Sequence, residues 1–328
     1  MAATTFGPKT TGAEVAETLR EEIAGKNLII TGTSLGGLGA EIAHVLAKYA
    51  NLVVVAGPSD ERQQLTIDSI KAALPSANVR KLILDLSSFD AIRAAAAEVN
   101  AYSEPIHVLI NNAASKMGPY TETKDGHENH FGVDHLGHFL FTLSILPRIR
   151  AARSPSYSPR ILNVSSTAHR RVGVRFDDVS FDRGKAFKTM PAYAQAKTAN
   201  VLFTKELAKR LKGQGILVYN VDPGLVWTNL ARTIPKEHLI AIGDWNAFIV
   251  AHDHSPTPIQ GNERRGRATP CHIIAAFDPS LKGHSGSYLA DCQLQNESVA
   301  PHASDPVLAK KLWTLSEELL GESFPISP

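Results

Sequence analysis

Residues 31–39 read TGTSLGGLG and directly follow the apolar run Leu28-Ile29-Ile30. The stretch places four glycines, two threonines and a serine between a predicted strand and a predicted helix. A structural turn would explain the glycines. A turn whose backbone approaches a phosphate would also explain them, because N–H groups at a helix N-terminus can then face a pyrophosphate. The stretch alone leaves both explanations open, and the rest of the sequence decides between them.

Strand-like and helix-like segments alternate on both sides of this stretch. The predicted strands are 27–31, 51–56, 79–86, 106–112, 160–166 and 216–222. The predicted helices are 12–25, 39–50, 60–74, 89–102, 125–150, 193–213 and 305–321. The strands are nearly continuous apolar runs, which is typical of a parallel sheet buried on both faces. Right-handed crossovers then predict an α/β fold of the Rossmann type, with a doubly wound parallel sheet.

The pattern predicts a single domain with an extension and an insertion. Residues 1–25 form an N-terminal helical extension, and residues 26–328 form the doubly wound domain. Within that domain, residues 229–270 are rich in His, Pro, Asp and Arg and predict a long irregular insertion. Its apolar side chains, Trp245 and Phe248 among them, are typical of a lid over a bulky apolar substrate. Packing on the domain itself, or on a partner subunit in a homodimer, explains them equally well.

Composition excludes several classes of function. With 34 Lys and Arg against 32 Asp and Glu, the net charge of +2 gives no electrostatic reason to expect nucleic-acid binding. The two cysteines, Cys271 and Cys292, are too few for a disulfide framework and lie outside metal-ligand spacing, so we expect reduced thiols and no metal. Residues 1–20 lack the regions of a secretory signal, and no apolar stretch reaches the roughly 18–20 residues of a membrane helix. The sequence therefore predicts a soluble, cytoplasmic protein.

Further polar clusters lie near the ends of the predicted strands. Tyr193 and Lys197 are four residues apart, so on a helix the phenol and the ammonium share a face. We expect the cation to lower the tyrosine pKa from about 10 and to make the phenol an acid or base. Asn111-Asn112, Asn163-Val-Ser165-Ser166 and the run 222–228 each end a strand. Because the carboxyl ends of parallel strands meet at one edge, these clusters are predicted to share a site with the glycine turn.

From about residue 26 to 230, the motifs and their order along the chain resemble those of the short-chain dehydrogenases/reductases. The runs FGVDHLGHFLFT, VSSTAHR and YAQAKTANVLF are similar to the branch of retinol dehydrogenases and WW-domain oxidoreductases. LGGLG and GSYLADCQ look like that branch in fungi. The resemblance implies an enzyme that exchanges a hydride between a nicotinamide and a carbonyl/alcohol pair, with the protein positioning the cofactor. We expect a ketone or secondary alcohol on a hydrophobic or polycyclic metabolite, such as one of fungal secondary metabolism.

By resemblance, Tyr193 is the catalytic acid/base, Ser166 holds the substrate oxygen beside it, and Lys197 binds the nicotinamide ribose. Ser166 is preferred to Ser165, because the family's serine is the second of the pair and neighbouring strand residues point to opposite faces. The other cofactor contacts implied by the resemblance are Gly32, Ser34, Leu35, Gly37 and Leu38 at the diphosphate and ribose, Asp85 and Leu86 at the adenine, Asn112 at the adenosine ribose, and Val226 and Thr228 at the nicotinamide.

The chain departs from the family in the glycine turn and at Asp134. The glycine motif has one extra residue between Gly32 and Gly37, and we expect cofactor binding to survive it. Asp134 stands where this branch has asparagine, and a carboxylate near Lys197 would keep that lysine charged. We therefore place Asp134 among the catalytic residues and expect activity with an altered proton relay.

Cofactor preference is predicted from the end of the second strand. The family often has an arginine there for the 2′-phosphate of NADP, but this chain has Pro58. It also has no acidic residue at Ala56 or Gly57 to bind a ribose 2′-hydroxyl, as an NAD site would. Ser59 and Arg62 can serve a phosphate. We therefore expect NADP(H), while NAD stays open.

Two other functions stay open from the sequence. The altered Asp134 leaves room for a non-redox isomerase or dehydratase on the same scaffold. A catalytically silent NAD(P)-binding sensor is the other, although such a protein has no chemical need of the serine, tyrosine and lysine together. His135 and His138 lie one helical turn apart without a third ligand nearby, so we expect packing roles for them rather than a metal site.

Overall fold

The computed structural model describes residues 6–7, 10–224 and 269–326. Its strands are β1 (Asn27–Thr31), β2 (Leu52–Gly57), β3 (Val79–Ile83), β4 (Val108–Asn111), β5 (Arg160–Val164), β6 (Leu217–Val221), β7 (Tyr288–Ala290) and β8 (Gln293–Leu294). They form an eight-stranded sheet in the order β3-β2-β1-β4-β5-β6-β7-β8. All neighbouring pairs are parallel except β7 and β8. The predicted doubly wound α/β fold is confirmed.

Helices connect the strands and cover both faces of the sheet. They are α1 (Gly12–Thr18), α2 (Arg20–Ile23), α3 (Leu38–Leu46), α4 (Asp60–Ala73), α5 (Phe89–Asn100), α6 (His138–Ser144), α7 (Leu146–Arg150), α8 (Thr189–Arg210), α9 (Pro270–Phe277), α10 (Pro301–Ser304) and α11 (Pro306–Leu320). A π-helical segment, Phe131–Gly137, runs directly into α6. No helix in the described part of the chain is long and apolar enough to cross a membrane.

Two hydrophobic clusters lie on opposite faces of the sheet. On β1, Ile29 packs into one cluster with α5, α6, α8 and α11, whereas Leu28 and Ile30 pack into the other with α1, α3 and α9. All three side chains are fully buried. Each such side chain contributes about 1.5–3 kcal/mol of burial free energy, which is why the strands read as continuous apolar runs.

The helix boundaries differ from the prediction in three places. The leading helix is divided into α1 and α2 at Leu19, and the long helix near 125–150 is divided into the π-helical segment, α6 and α7. The helix predicted from residue 193 begins earlier, at Thr189. The β7–β8 hairpin was not predicted, because its strands have only three and two residues. The predicted insertion lies outside the described residues except for its end, where α9 begins at Pro270.

The site is positioned by the change of direction in the strand order. The chain proceeds from β1 outward to β3, then returns to pair β4 with the other side of β1. The loops after β1 and β4 therefore leave the same edge of the sheet in opposite directions and open a crevice.

Candidate active site

The glycine turn brings the backbone after β1 against the loop after β4. Gly32 has φ +73°, and a Cβ placed there would lie 2.7 Å from the Cα of Ala113. A Cβ on Gly39 would lie 2.6 Å from the carbonyl oxygen of Gly32. Neither position has room for a side chain. Helix α3 begins after Gly37 without a side-chain cap, so the N–H groups of its first turn are available to an anion.

Asn112, in the loop after β4, binds the end of β1 where the glycine turn begins. Its side-chain Nδ2 donates to the carbonyl oxygen of Thr31 at 2.8 Å, and its backbone N–H donates to the hydroxyl of Thr31 at 2.9 Å. The amide nitrogen of Asn112 therefore holds the glycine turn in place, a role that the sequence did not predict. Its contact with the adenosine ribose stays a prediction.

The side chains of Ser166 and Tyr193 meet between β5 and α8. The Ser166 hydroxyl is close enough to the Tyr193 phenol to lower its pKa. The Ser165 hydroxyl is instead engaged with the backbone of α8, because it is buried and donates to the carbonyl oxygen of Lys197 at 2.9 Å. The Lys197 ammonium lies 5.4 Å from the centroid of the Tyr193 ring. The three groups that the sequence singled out therefore converge at one place.

The pKa of Tyr193 differs from the expectation. Burial raises it above its ordinary value of 10, and this effect outweighs the lowering by the Lys197 charge and by the Ser166 hydroxyl. The charge of Asp134 raises it further. The prediction of a lowered pKa is therefore wrong, although the contribution of Lys197 has the predicted sign. Desolvation depends on how several elements pack around the phenol, and the spacing of Tyr193 and Lys197 in the sequence gives no information about that packing.

Asp134 and Lys197 form a buried ion pair. Nζ lies 3.0 Å from Oδ2, and the two side chains are 0% and 3% exposed for Asp134 and Lys197. The other carboxylate oxygen accepts the backbone N–H of Ser115 at 2.6 Å. Burial alone would lower the pKa of Lys197, but the charge of Asp134 and its hydrogen bond raise it above the ordinary value. The expectation that this carboxylate keeps the lysine charged is confirmed.

The His138 ring is hydrogen-bonded to the backbone carbonyl of Asp134. Nδ1 of its ring lies 3.1 Å from that oxygen, and Nε2 lies 2.9 Å from the hydroxyl of Thr31. Burial lowers the pKa of His138 to about 4, so the ring is neutral at physiological pH. His135 is also buried, with Nε2 2.7 Å from the hydroxyl of Ser316 on α11. The predicted packing roles of both histidines are confirmed.

The other predicted cofactor contacts line the same edge of the sheet. Asp85 follows β3, where its carboxylate accepts the Ser87 hydroxyl at 2.6 Å and pairs with Lys124 at 2.9 Å. Leu86 is buried and Leu35 is exposed. Contact of these residues with an adenine or a diphosphate stays a prediction. Val226 and Thr228 lie outside the described residues.

Glu128 and His130 form part of the site that sequence reasoning missed. Their side chains are buried, with Nδ1 of His130 2.7 Å from a Glu128 oxygen. The Glu128 carboxylate also accepts the backbone N–H groups of His130 and Phe131 at 2.9 Å, at the start of the segment that carries Asp134. The His130 ring stands edge-on to Tyr193, 6.3 Å between centroids. The pair stands immediately before the Asp134 segment in sequence, which is the signal that could have found it.

Comparisons with known proteins agree with this geometry. A family model described as enoyl-(acyl carrier protein) reductase matches residues 33–252. Retinol dehydrogenase 12 of Mus musculus is 36% identical over 304 residues, which cover 93% of this chain and 89% of that protein. A crystal structure of an uncharacterized protein from Mycobacterium paratuberculosis has a TM-score of 0.68 at 28% identity, covering 92% of this chain and 96% of that one. The NADP-bound 3-oxoacyl-(acyl-carrier-protein) reductase from Agrobacterium tumefaciens shares the fold, with a TM-score of 0.61 at 20% identity and coverage of 83% and 95%.

Proposed function

The chain belongs to the short-chain dehydrogenase/reductase family, and on that premise we propose that it is an NADP(H)-dependent oxidoreductase that interconverts a ketone and a secondary alcohol. The observation that carries the proposal is the convergence of Ser166 and Tyr193 beside the Lys197 ammonium. These groups lie at the edge of the sheet where the glycine turn leaves β1. A proton donor, an oxygen-binding hydroxyl and a dinucleotide crevice are the parts that carbonyl reduction requires.

The crevice fits a nicotinamide dinucleotide. Gly32 and Gly39 leave no space for a Cβ, so backbone rather than side chain faces the crevice, and the uncapped α3 N-terminus suits a diphosphate. Lys197 would hold the nicotinamide ribose, and Asn112 would stand beside the adenosine ribose. When bound, the cofactor supplies or accepts the hydride.

The preference for NADP(H) rests on the residues after β2. Ser59 caps α4 by accepting the backbone N–H of Arg62 at 3.3 Å, and the Arg62 side chain is exposed in the first helical turn. A helix N-terminus with a cation is suited to a 2′-phosphate. Arg62→Ala should therefore raise the KM for NADPH by about tenfold, or about 1.4 kcal/mol, and leave the KM for NADH unchanged. Equal KM values for both cofactors in the unaltered enzyme would refute this preference.

Four side chains have separate roles in the proposed reaction. Ser166 binds the substrate oxygen, and Tyr193 donates its phenolic proton to that oxygen during reduction and takes a proton back during oxidation. Lys197 stabilises the phenolate that results, because its ammonium is close to the ring. Asp134 acts through Lys197 by keeping it protonated.

We propose a hydrophobic or polycyclic metabolite as the substrate. The mouse relative is named a retinol dehydrogenase, and retinol is a long apolar alcohol, which supports an apolar substrate class. The resemblance of LGGLG and GSYLADCQ to fungal sequences supports secondary metabolism as the setting. We place the enzyme in the cytoplasm on the basis of its composition, and fractionation of cells that express the tagged chain tests this.

The direct test is turnover with a panel of substrates. Purified protein is mixed with NADPH and apolar ketones, polycyclic ketones and retinal, while loss of the reduced cofactor's absorbance is followed. We expect turnover that depends on the carbonyl compound and is lost in Tyr193→Phe, with ketones as the better substrates. Product without net cofactor oxidation would instead support the isomerase or dehydratase. Cofactor binding without turnover, unchanged in Tyr193→Phe, would support the sensor.

A further inference from the structure

The two cysteines of the chain lie next to each other in the fold. Cys271 stands in the first turn of α9 and Cys292 in the turn between β7 and β8, and they are 21 positions apart in sequence. Both are buried, at 5% and 9% exposed, and their Sγ atoms are 3.9 Å apart. This is a thiol–thiol contact. The site described above lies on other elements and does not use it.

The hairpin turn directs Cys292 toward α9. Asp291 and Cys292 are the two residues between β7 and β8, and both have left-handed backbones, with φ of +49° and +65°. Such a two-residue turn usually carries glycine or asparagine, because other side chains are strained there. In this conformation the backbone N–H of Cys292 donates to Sγ of Cys271 at 2.8 Å. The turn therefore holds the two sulfur atoms together.

We propose that Cys271 and Cys292 form a thiol-oxidation site that closes into one reversible disulfide by exchange with glutathione disulfide. In the first step the Cys292 thiolate attacks one sulfur of glutathione disulfide and releases one glutathione thiolate. In the second step the Cys271 thiolate attacks the mixed disulfide and releases the other. Two protein thiols are oxidised, one glutathione disulfide is reduced to two glutathione molecules, and the two thiol protons end on them.

The surroundings favour Cys292 as the first nucleophile. It is the more exposed of the two and follows the exposed Asp291 in the turn. A hydrogen bond from the Cys271 thiol lowers the pKa of Cys292, whereas the same contact and burial raise the pKa of Cys271. The thiolate therefore forms first on the less buried of the two thiols. Cys271 is already placed behind it as the resolving thiol.

The bridge would join two elements that both follow segment 225–268 in the chain, namely α9 and the β7–β8 hairpin. The hairpin that carries Cys292 also carries Tyr288, whose hydroxyl donates to Asp222 at 2.6 Å. The other oxygen of Asp222 accepts the backbone N–H of Gly224 at 2.8 Å. A disulfide would add a covalent connection from this hairpin to the first turn of α9.

Thiol counting on the full chain tests the proposal, because these are its two cysteines. The protein is equilibrated with glutathione buffers of increasing disulfide content and quenched with acid, and its thiols are titrated after unfolding. We expect both thiols to disappear together and the mass to fall by two hydrogen atoms. We also expect a linked peptide pair containing Cys271 and Cys292, and recovery of both thiols with dithiothreitol. Persistence of both thiols, stable glutathione adducts, or bridges between chains would overturn the proposal.

A second measurement tests whether the native fold, rather than the reactivity of the two thiols alone, favours the disulfide. The same titration in urea gives the equilibrium constant for the unfolded chain, in which the thiols meet only by chance. We expect the native constant to be at least about tenfold larger, because the fold holds the sulfurs together. A native constant equal to or below the unfolded one would contradict the proposal. Cys271→Ser and Cys292→Ser are the matched controls. Each variant keeps a single cysteine, which can form a glutathione adduct or remain a thiol but cannot form an internal bridge.

Discussion

The Asp134 carboxylate determines how the active-site lysine is charged. It places an anion 3.0 Å from the Lys197 ammonium, and both side chains are buried. An isolated ammonium there would be costly to bury, whereas the pair compensates for much of that cost. The pKa of Lys197 consequently lies above its ordinary value of 10.5. The stability that this pair contributes is therefore present below about pH 10.5 and is lost as pH rises through the raised pKa.

Asp134→Asn should move the alkaline limit of activity to lower pH. The amide can still accept the Ser115 N–H, but it cannot hold the lysine proton, so Lys197 deprotonates earlier. We expect the alkaline fall of kcat/KM to shift to lower pH, and unfolding to require about 3–5 kcal/mol less free energy. A pH profile and a urea titration measure both effects. Asp90→Asn, which changes an exposed carboxylate, is the control, and an unmoved alkaline limb in Asp134→Asn would refute the role of the pair.

The raised pKa of Tyr193 predicts different pH profiles for the two reaction directions. Reduction needs the phenol and oxidation needs the phenolate. Because the pKa lies above 10, the phenol predominates at neutral pH. The kcat/KM for ketone reduction should therefore stay constant through neutrality, while that for alcohol oxidation should rise with pH. Oxidation that is already at its plateau by about pH 8 would mean that the tyrosine ionises more easily than this.

At the scale of elements, the glycine turn and the π-helical segment bring the site together. The turn places β1 and α3 against the loop after β4, and the segment Phe131–Gly137 brings Asp134 under Lys197. Insertions of this kind into an α-helix are uncommon and often mark functional sites. Gly137 allows the segment to approach the loop after β3, because a Cβ there would lie 2.7 Å from the carbonyl oxygen of Leu86.

Gly39→Ala tests the glycine turn. The added methyl group would meet the carbonyl oxygen of Gly32 at 2.6 Å, and backbone would have to move to relieve the contact. We expect the KM for NADPH to rise by about tenfold or more, with a smaller effect on kcat. Gly118→Ala is the matched control, since nothing lies within 4 Å of a Cβ there. Equal KM values in the two variants would show that the close approach does not matter for cofactor binding.

At the scale of the whole molecule, the C-terminal helix α11 supports the helix that carries Tyr193 and Lys197. Trp313 on α11 is buried, with its ring 4.8 Å from Phe139 and 6.2 Å from Phe203 of α8. The Arg210 guanidinium lies 4.0 Å from the same indole. The end of the chain thus belongs to the main core. The homodimer stays a prediction, and light scattering of the purified protein tests it.

Trp313→Ala should destabilise the whole domain. Removing the indole leaves a cavity between α6, α8 and α11, and such changes cost about 3–5 kcal/mol. Urea denaturation measures the loss. Val307→Ala on the same helix is the control, since Val307 is 71% exposed. A loss below about 1 kcal/mol in Trp313→Ala would mean that α11 packs more loosely than the structure shows.

The sequence predicts most of the sheet but only part of the site. β1, β2, β4 and β5 were found because their side chains are buried on both faces, which gives unbroken apolar runs. β3 lies at the edge of the sheet, and its side chains are mostly half-buried. The short β7–β8 hairpin carries no such signal. The convergence of Ser166, Tyr193 and Lys197 followed from strand ends and helical spacing. The ion pair at Asp134 was anticipated, whereas the pKa of Tyr193 and the Glu128–His130 pair depend on packing that no local pattern records.

Transfer of deuterium tests the central claim most directly. NADPH deuterated at the hydride-donating carbon of the nicotinamide is incubated with the protein and an apolar ketone, and the alcohol is analysed by mass spectrometry and NMR. We predict one deuterium on the carbinol carbon of the product, formed by the unaltered enzyme and slowed by about 10²-fold or more in Tyr193→Phe. A product without deuterium at that carbon, or equal rates in the two proteins, would contradict the account.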